Sequence, residues 1–151
     1  MIQRIQTIWF FLAALSISLL LMIPIISKVI NDSEYWINAI GLYQQTNGKT
    51  VLDLFIPVAI LTILSAVLLL FTIFSFKDRK KQKNFALISL IFILVLSVLT
   101  YIYVAKMPGG LDGVSYELGA FLPIISIVFI GLGVRGINND EKLIKSADRL
   151  R

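Results

Sequence analysis

A chain of 151 residues that is 58% apolar and only 15% charged, against about 25% in ordinary soluble chains, cannot hide its apolar surface as a single water-soluble domain. Cysteine and histidine are both absent, which excludes disulfide frameworks, thiolate nucleophiles, Cys/His zinc sites and the usual general base near neutral pH. The net charge of +5 comes without an aromatic-basic stacking surface, so it reads as membrane topology and not as nucleic-acid binding.

Four stretches without a charged side chain follow in order: Ile5 to Ser27, Leu54 to Phe76, Asn84 to Ala105 and Leu118 to Val134. At ~1.5 Å per helical residue each crosses, or nearly crosses, a ~30 Å hydrocarbon core. The first is too long for a signal-peptide core and has no Ala-x-Ala site after Pro24, so it is expected to be a retained span. Trp9, Phe10 and Phe11 are expected to anchor its inner end.

The segment from Lys28 to Asp53 is long for a connection. Strand formers fill Tyr35 to Tyr43, Asn47-Gly48 is a favoured hairpin turn, and Thr50-Val51-Leu52 offers a return, which together predict a short β-hairpin. Tyr35, Trp36 and Tyr43 are either partner anchors or membrane-surface contacts.

Spans two and four open alike. Phe55-Ile56-Pro57-Val58 parallels Phe121-Leu122-Pro123-Ile124, each with an acid upstream, Asp53 or Glu117. Proline is tolerated in a first helical turn, and an acid there complements the helix dipole. The parallel also raises a repeat of two hairpins, against two independent arrivals at the same helix-start chemistry. Within the spans the polar groups are hydroxyls, expected to bond back to their own helices or across to neighbours. Gly131 and Gly133 serve either close approach or local flexibility, and Gly136 is expected to end span four.

Lys/Arg residues decide orientation. Arg4, the Lys77 to Lys83 loop and the tail after Val134 hold eleven of them, whereas Lys28, Lys49 and Lys106 are the three on the other side. Both termini and the basic loop are therefore expected in the cytoplasm. Residues 135–151 are expected to form a separate cytoplasmic amphipathic helix beyond the transmembrane domain of residues 1–134. Arg135, Leu143, Ala147, Arg149, Leu150 and Arg151 are its candidate contacts with either the inner leaflet or a partner.

The opening Met1-Ile2-Gln3-Arg4-Ile5-Gln6-Thr7 and an ending of the form Arg-Gly-Ile, Asp-Glu-x-Leu and Ser-x-Asp-Arg-Leu-Arg resemble a family of small four-span inner-membrane proteins of the Bacteroidota, a domain of unknown function. The resemblance implies a bacterial inner membrane and brings no catalytic residues with it.

The fold expected is an all-α membrane protein, a four-helix transmembrane bundle with a short outer β-hairpin and a short C-terminal amphipathic helix. No catalytic, cofactor or metal set is visible, and the five acids of the outer segments read as solvated charges. The expected role is a non-enzymatic subunit, scaffold or assembly factor in contact with the bilayer and with other membrane proteins or its own copies. The alternative is a small oligomeric transporter or lipid-handling protein.

Overall fold

The computed structural model describes residues 3–30, 33–46, 49–106 and 112–148. Pro24 decides how the first apolar stretch divides. A proline cannot continue the helical hydrogen-bond ladder, and the residue before it is pushed out of the helical region. Helix α1 accordingly spans Gln3–Leu19, and the amides of Met22 and Ile23 close its end by donating to the Leu19 carbonyl. The β-branched run beyond the proline becomes strand β1 (Ile26–Ile30). The expected span of residues 5–27 is thus corrected: its last part belongs to a sheet.

That sheet is larger than a hairpin. Strands β2 (Ser33–Ile37), β3 (Gly41–Thr46), β4 (Lys49–Leu54) and β5 (Ser115–Tyr116) join β1 in the order β4-β3-β2-β1-β5, every pair antiparallel. The predicted hairpin survives as β3–β4: Thr46 pairs with Lys49 around Asn47 and Gly48, which lie outside the described residues. The stretch from Tyr35 to Tyr43 is two strands and not one. The Asn38 side-chain oxygen accepts from the amides of Ile40 (2.9 Å) and Gly41 (3.1 Å), a local turn that asparagine favours over continued strand.

Three further helices follow: α2 (Ile56–Phe74), α3 (Arg79–Ala105) and, after a short 3-10 turn over Leu118–Phe121, α4 (Leu122–Asp148). Pro57 and Pro123 each occupy the second position of their helix, where a missing N–H leaves nothing unpaired. In the connection between α3 and β5, Gly113 adopts a φ of 70°, which favours glycine.

The helices form a ring. Each packs on its sequence neighbour, and α4 closes against α1. Buried positions recur at alternating spacings of three and four: Val58, Thr62, Ser65, Leu69 and Thr72 on α2, and Gln82, Ala86, Ser89, Ile93 and Leu96 on α3. That is the spacing of a supercoiled bundle. The pattern of polarity is inverted relative to a soluble bundle. Hydroxyls and small residues share the seams with Val58, Leu69, Ile93 and Leu96, while Ile60, Ile63, Phe71, Ile91, Leu94, Val98, Ile124 and Val128 are exposed. An apolar exterior of this extent far exceeds the ~300–600 Å² patch of a typical soluble monomer.

Three helical segments, Ile56–Phe74, Arg79–Ala105 and Leu118–Lys142, are long and apolar enough to cross a membrane. The apolar part of α1, Ile5–Leu19, is shorter. The four-span expectation therefore holds for three helices by length, with α1 packed beside them as the fourth member of the ring.

Span four does not end at Gly136. Helix α4 runs through it to Asp148 because the residues beyond keep packing: Ile137 is buried in the core and Asp140 against α1. A tertiary seam overrides the low helix propensity of one glycine. The expected separate C-terminal helix is corrected to an extension of α4, within which Asn138 accepts from the Lys83 ammonium at 2.8 Å.

Candidate functional site

The sheet caps one end of the bundle, and its two faces differ. Cross-strand partners share a face, so the register sorts the side chains. Ile26, Ile37, Leu42 and Tyr35 lie on the face turned to the bundle, with Ile26 and Ile37 fully buried and Tyr35 packed against the core. Trp36 and Tyr43 are directly paired on the other face and stack at 5.6 Å with ring planes 2° apart. The three predicted aromatics therefore separate: two form a surface pair and Tyr35 serves the core.

The sheet is bonded into the bundle end by its backbone. Ala39 donates to the Leu20 carbonyl (2.9 Å), Phe55 to Ile40 (2.8 Å), Glu117 to Ile25 (3.0 Å) and Gly119 to Pro24 (3.0 Å). A Cβ on Gly119 would stand 2.8 Å from the Pro24 carbonyl carbon and 2.9 Å from the Ile25 Cα, so only glycine permits this approach. Glu117, expected at a helix start, accepts from the Ser27 hydroxyl at 2.7 Å.

Between the sheet and the Gln6 end of the bundle, the buried polar groups of the described helices are hydroxyls, and these are satisfied. Ser16, Ser18, Thr62, Ser65, Thr72, Ser89, Ser97 and Thr100 each donate to the carbonyl four residues earlier. Ser126 alone of those named in the spans crosses a seam, donating to the Ala13 carbonyl at 3.1 Å. Beside it, Gly133 faces the fully buried Phe10, where a Cβ would lie 2.7 Å from the ring. Phe10 is thus core and not an interfacial anchor. Trp9 is half-buried and stacks on Phe129 of α4 at 5.7 Å, and Phe11 is exposed. Gly131 has open space, so only one of the two glycines serves close approach.

At the opposite end of the bundle lies a buried polar group. Gln6 donates to Asp140 at 2.6 Å, and the second carboxylate oxygen of Asp140 is buried without a hydrogen-bond partner. Gln82 is buried on the adjoining helix α3. Among the predicted tail contacts, Arg135 is exposed on α4, and Leu143 and Ala147 lie within the same helix. Arg149, Leu150 and Arg151 are outside the described residues.

Two clefts open near the sheet. One, of about 250 Å³, lies along the α3–α4 seam, with Leu96, Thr100 and Val104 facing Ala120 and Pro123 beneath β1. Of the four neighbouring helix pairs, α3 and α4 run close together over the shortest stretch. The other, of about 220 Å³, is lined by Leu42, Asp53, Leu54, Phe55, Tyr103 and Lys106. Sequence reasoning found neither, because each joins residues far apart in the chain.

Among the described residues no cluster of three or more acidic side chains could hold a metal ion. A ring of helices with an apolar exterior, capped by an antiparallel sheet, has the architecture of a small helical membrane protein. The chain belongs to the family described as a domain of unknown function (DUF4293), which matches residues 2–150. No curated protein matches it.

Proposed function

We propose that this is a multi-pass protein of a bacterial inner (cytoplasmic) membrane that acts without catalysis, as a subunit, scaffold or assembly factor of a membrane complex. Both termini and the basic Lys77 to Lys83 loop face the cytoplasm, and the sheet stands on the outer side. The Lys/Arg asymmetry supports that orientation, and α1 makes the fourth crossing in the shelter of α2 and α4.

One observation carries the scaffold reading. The hydroxyls inside the bundle are bonded back to their own helices and offer no free polar lining, while a folded five-stranded sheet projects from the bundle with the Trp36–Tyr43 pair on its free face. Paired aromatics of this kind are common binding anchors. The partners are other membrane proteins or further copies of this chain. A photo-crosslinking residue at position 36, followed by mild-detergent purification from native membranes, is expected to return a discrete membrane-protein partner. Uncrosslinked monomer alone would contradict the reading.

The lateral cleft on the α3–α4 seam favours a second reading, an oligomeric transporter or lipid-handling protein. A fluorescent lipid whose exchange between vesicles is accelerated by the reconstituted protein would support it over the first.

A further inference from the structure

The second cleft holds two opposite charges that do not neutralise each other. Asp53 pairs across strands with Leu42, and Leu42 with Ile37, so all three share the sheet face turned to the bundle. Lys106 caps the end of α3, its ammonium 6.0 Å from the centroid of the Tyr103 ring. Tyr103 in turn stacks on Phe55 at 4.2 Å, which makes a rigid aromatic floor. Both charged side chains are exposed and line the same space of about 220 Å³, yet no ion pair within 4.0 Å joins them. An inward-facing charge on an edge strand can guard against edge-to-edge pairing. That role needs no lysine opposite it and no aromatic floor.

We propose that this cleft binds the headgroup of a zwitterionic amine phospholipid, of the phosphoethanolamine class. Lys106 takes the phosphate and Asp53 the ammonium. The acyl chains run from Leu54, which ends β4 and lines the cleft, down α2, where Ile56 and Ile60 are exposed. The proposal is independent of the scaffold reading, since it concerns a lipid and not a protein partner.

The test is native mass spectrometry of the full chain in mild detergent, with phosphatidylethanolamine and phosphatidylglycerol of identical chains added in turn. The parent should retain the ethanolamine lipid in preference. Asp53→Asn should lower its retention by up to about fivefold, the effect of one exposed charge pair, and leave the glycerol lipid unchanged. Lys106→Gln should lower both, and the exchange D53K/K106D should restore the preference. Soluble phosphoethanolamine at equal concentration should not displace the lipid, because the chains supply most of the affinity. Equal retention of the two lipids by the parent, an undiminished preference in Asp53→Asn, or displacement by the soluble headgroup would overturn the proposal. Both positions are exposed, and an unchanged thermal melt confirms that the variants fold.

Discussion

Gln6 donates to Asp140 at 2.6 Å across a separation of 134 residues, tying the start of α1 to the part of α4 that lies beyond Gly136. This bond explains why α4 does not stop at its glycine. It also leaves the other Asp140 oxygen buried and unpartnered, so the group depends heavily on one amide. Replacing Gln6 by Ala is expected to lower stability by about 1–3 kcal/mol, because a buried carboxylate then loses its remaining partner. The double replacement Q6L/D140L should be far milder than the sum of the single changes, since two apolar groups leave nothing unsatisfied. A double-mutant cycle on thermal melts in detergent checks this.

Three glycines make contrasting predictions. Gly133→Ala drives a methyl group into the buried Phe10 ring and should cost about 1–3 kcal/mol through overpacking. Gly119→Ala meets the Pro24 backbone, which cannot swing aside as a side chain can, and should loosen the join between sheet and bundle. Gly131→Ala meets nothing within 4 Å and should be neutral or stabilising by up to ~1 kcal/mol through helix propensity. Melting temperatures of the three variants, measured side by side, read out the ranking.

How much of this was legible follows from the range of each signal. Helices α2, α3 and α4 announce themselves because a charge-free run is a local property. The hairpin around Asn47-Gly48 was legible for the same reason. Strand β1 was missed because Ile23 to Ser27 reads equally well as the end of a span; the signals that distinguish it are Pro24 and the Asn31-Asp32 pair, around which Ile30 pairs with Ser33. Strand β5 is two residues long and exists only because β1 offers it an edge. The continuation of α4 was invisible in sequence, since it rests on Gln6 and on the buried Ile137. The candidate surface was legible in part: Trp36 and Tyr43 were named, but their stacking, and the turning of Tyr35 to the other face, depend on register.

Asp78 gives a pH prediction. It caps α3 by accepting the Lys81 amide at 3.1 Å; that hydrogen bond, aided by the Lys81 ammonium at 3.5 Å, holds its carboxyl below the ordinary 3.8. A lowered carboxylate value means that the capping stabilisation is fully present above the ordinary value and is lost as pH falls through the lower folded one. Thermal stability should therefore carry a component that is flat from neutrality down to about pH 5 and declines below about pH 4. Asp78→Asn keeps a side-chain acceptor but does not titrate, so the difference in melting temperature between parent and variant should narrow in that acid window.

The central claim is that this chain crosses the bilayer with its sheet on one side and its basic loop on the other. The absence of cysteine makes the test clean, because any introduced thiol is the only one. Gln45→Cys in β3 and Lys81→Cys at the start of α3 are both exposed positions. In spheroplasts, a membrane-impermeant maleimide should label Gln45→Cys at once and Lys81→Cys only after the membrane is permeabilised. Equal labelling of the two before permeabilisation, or the reverse order, would contradict the account.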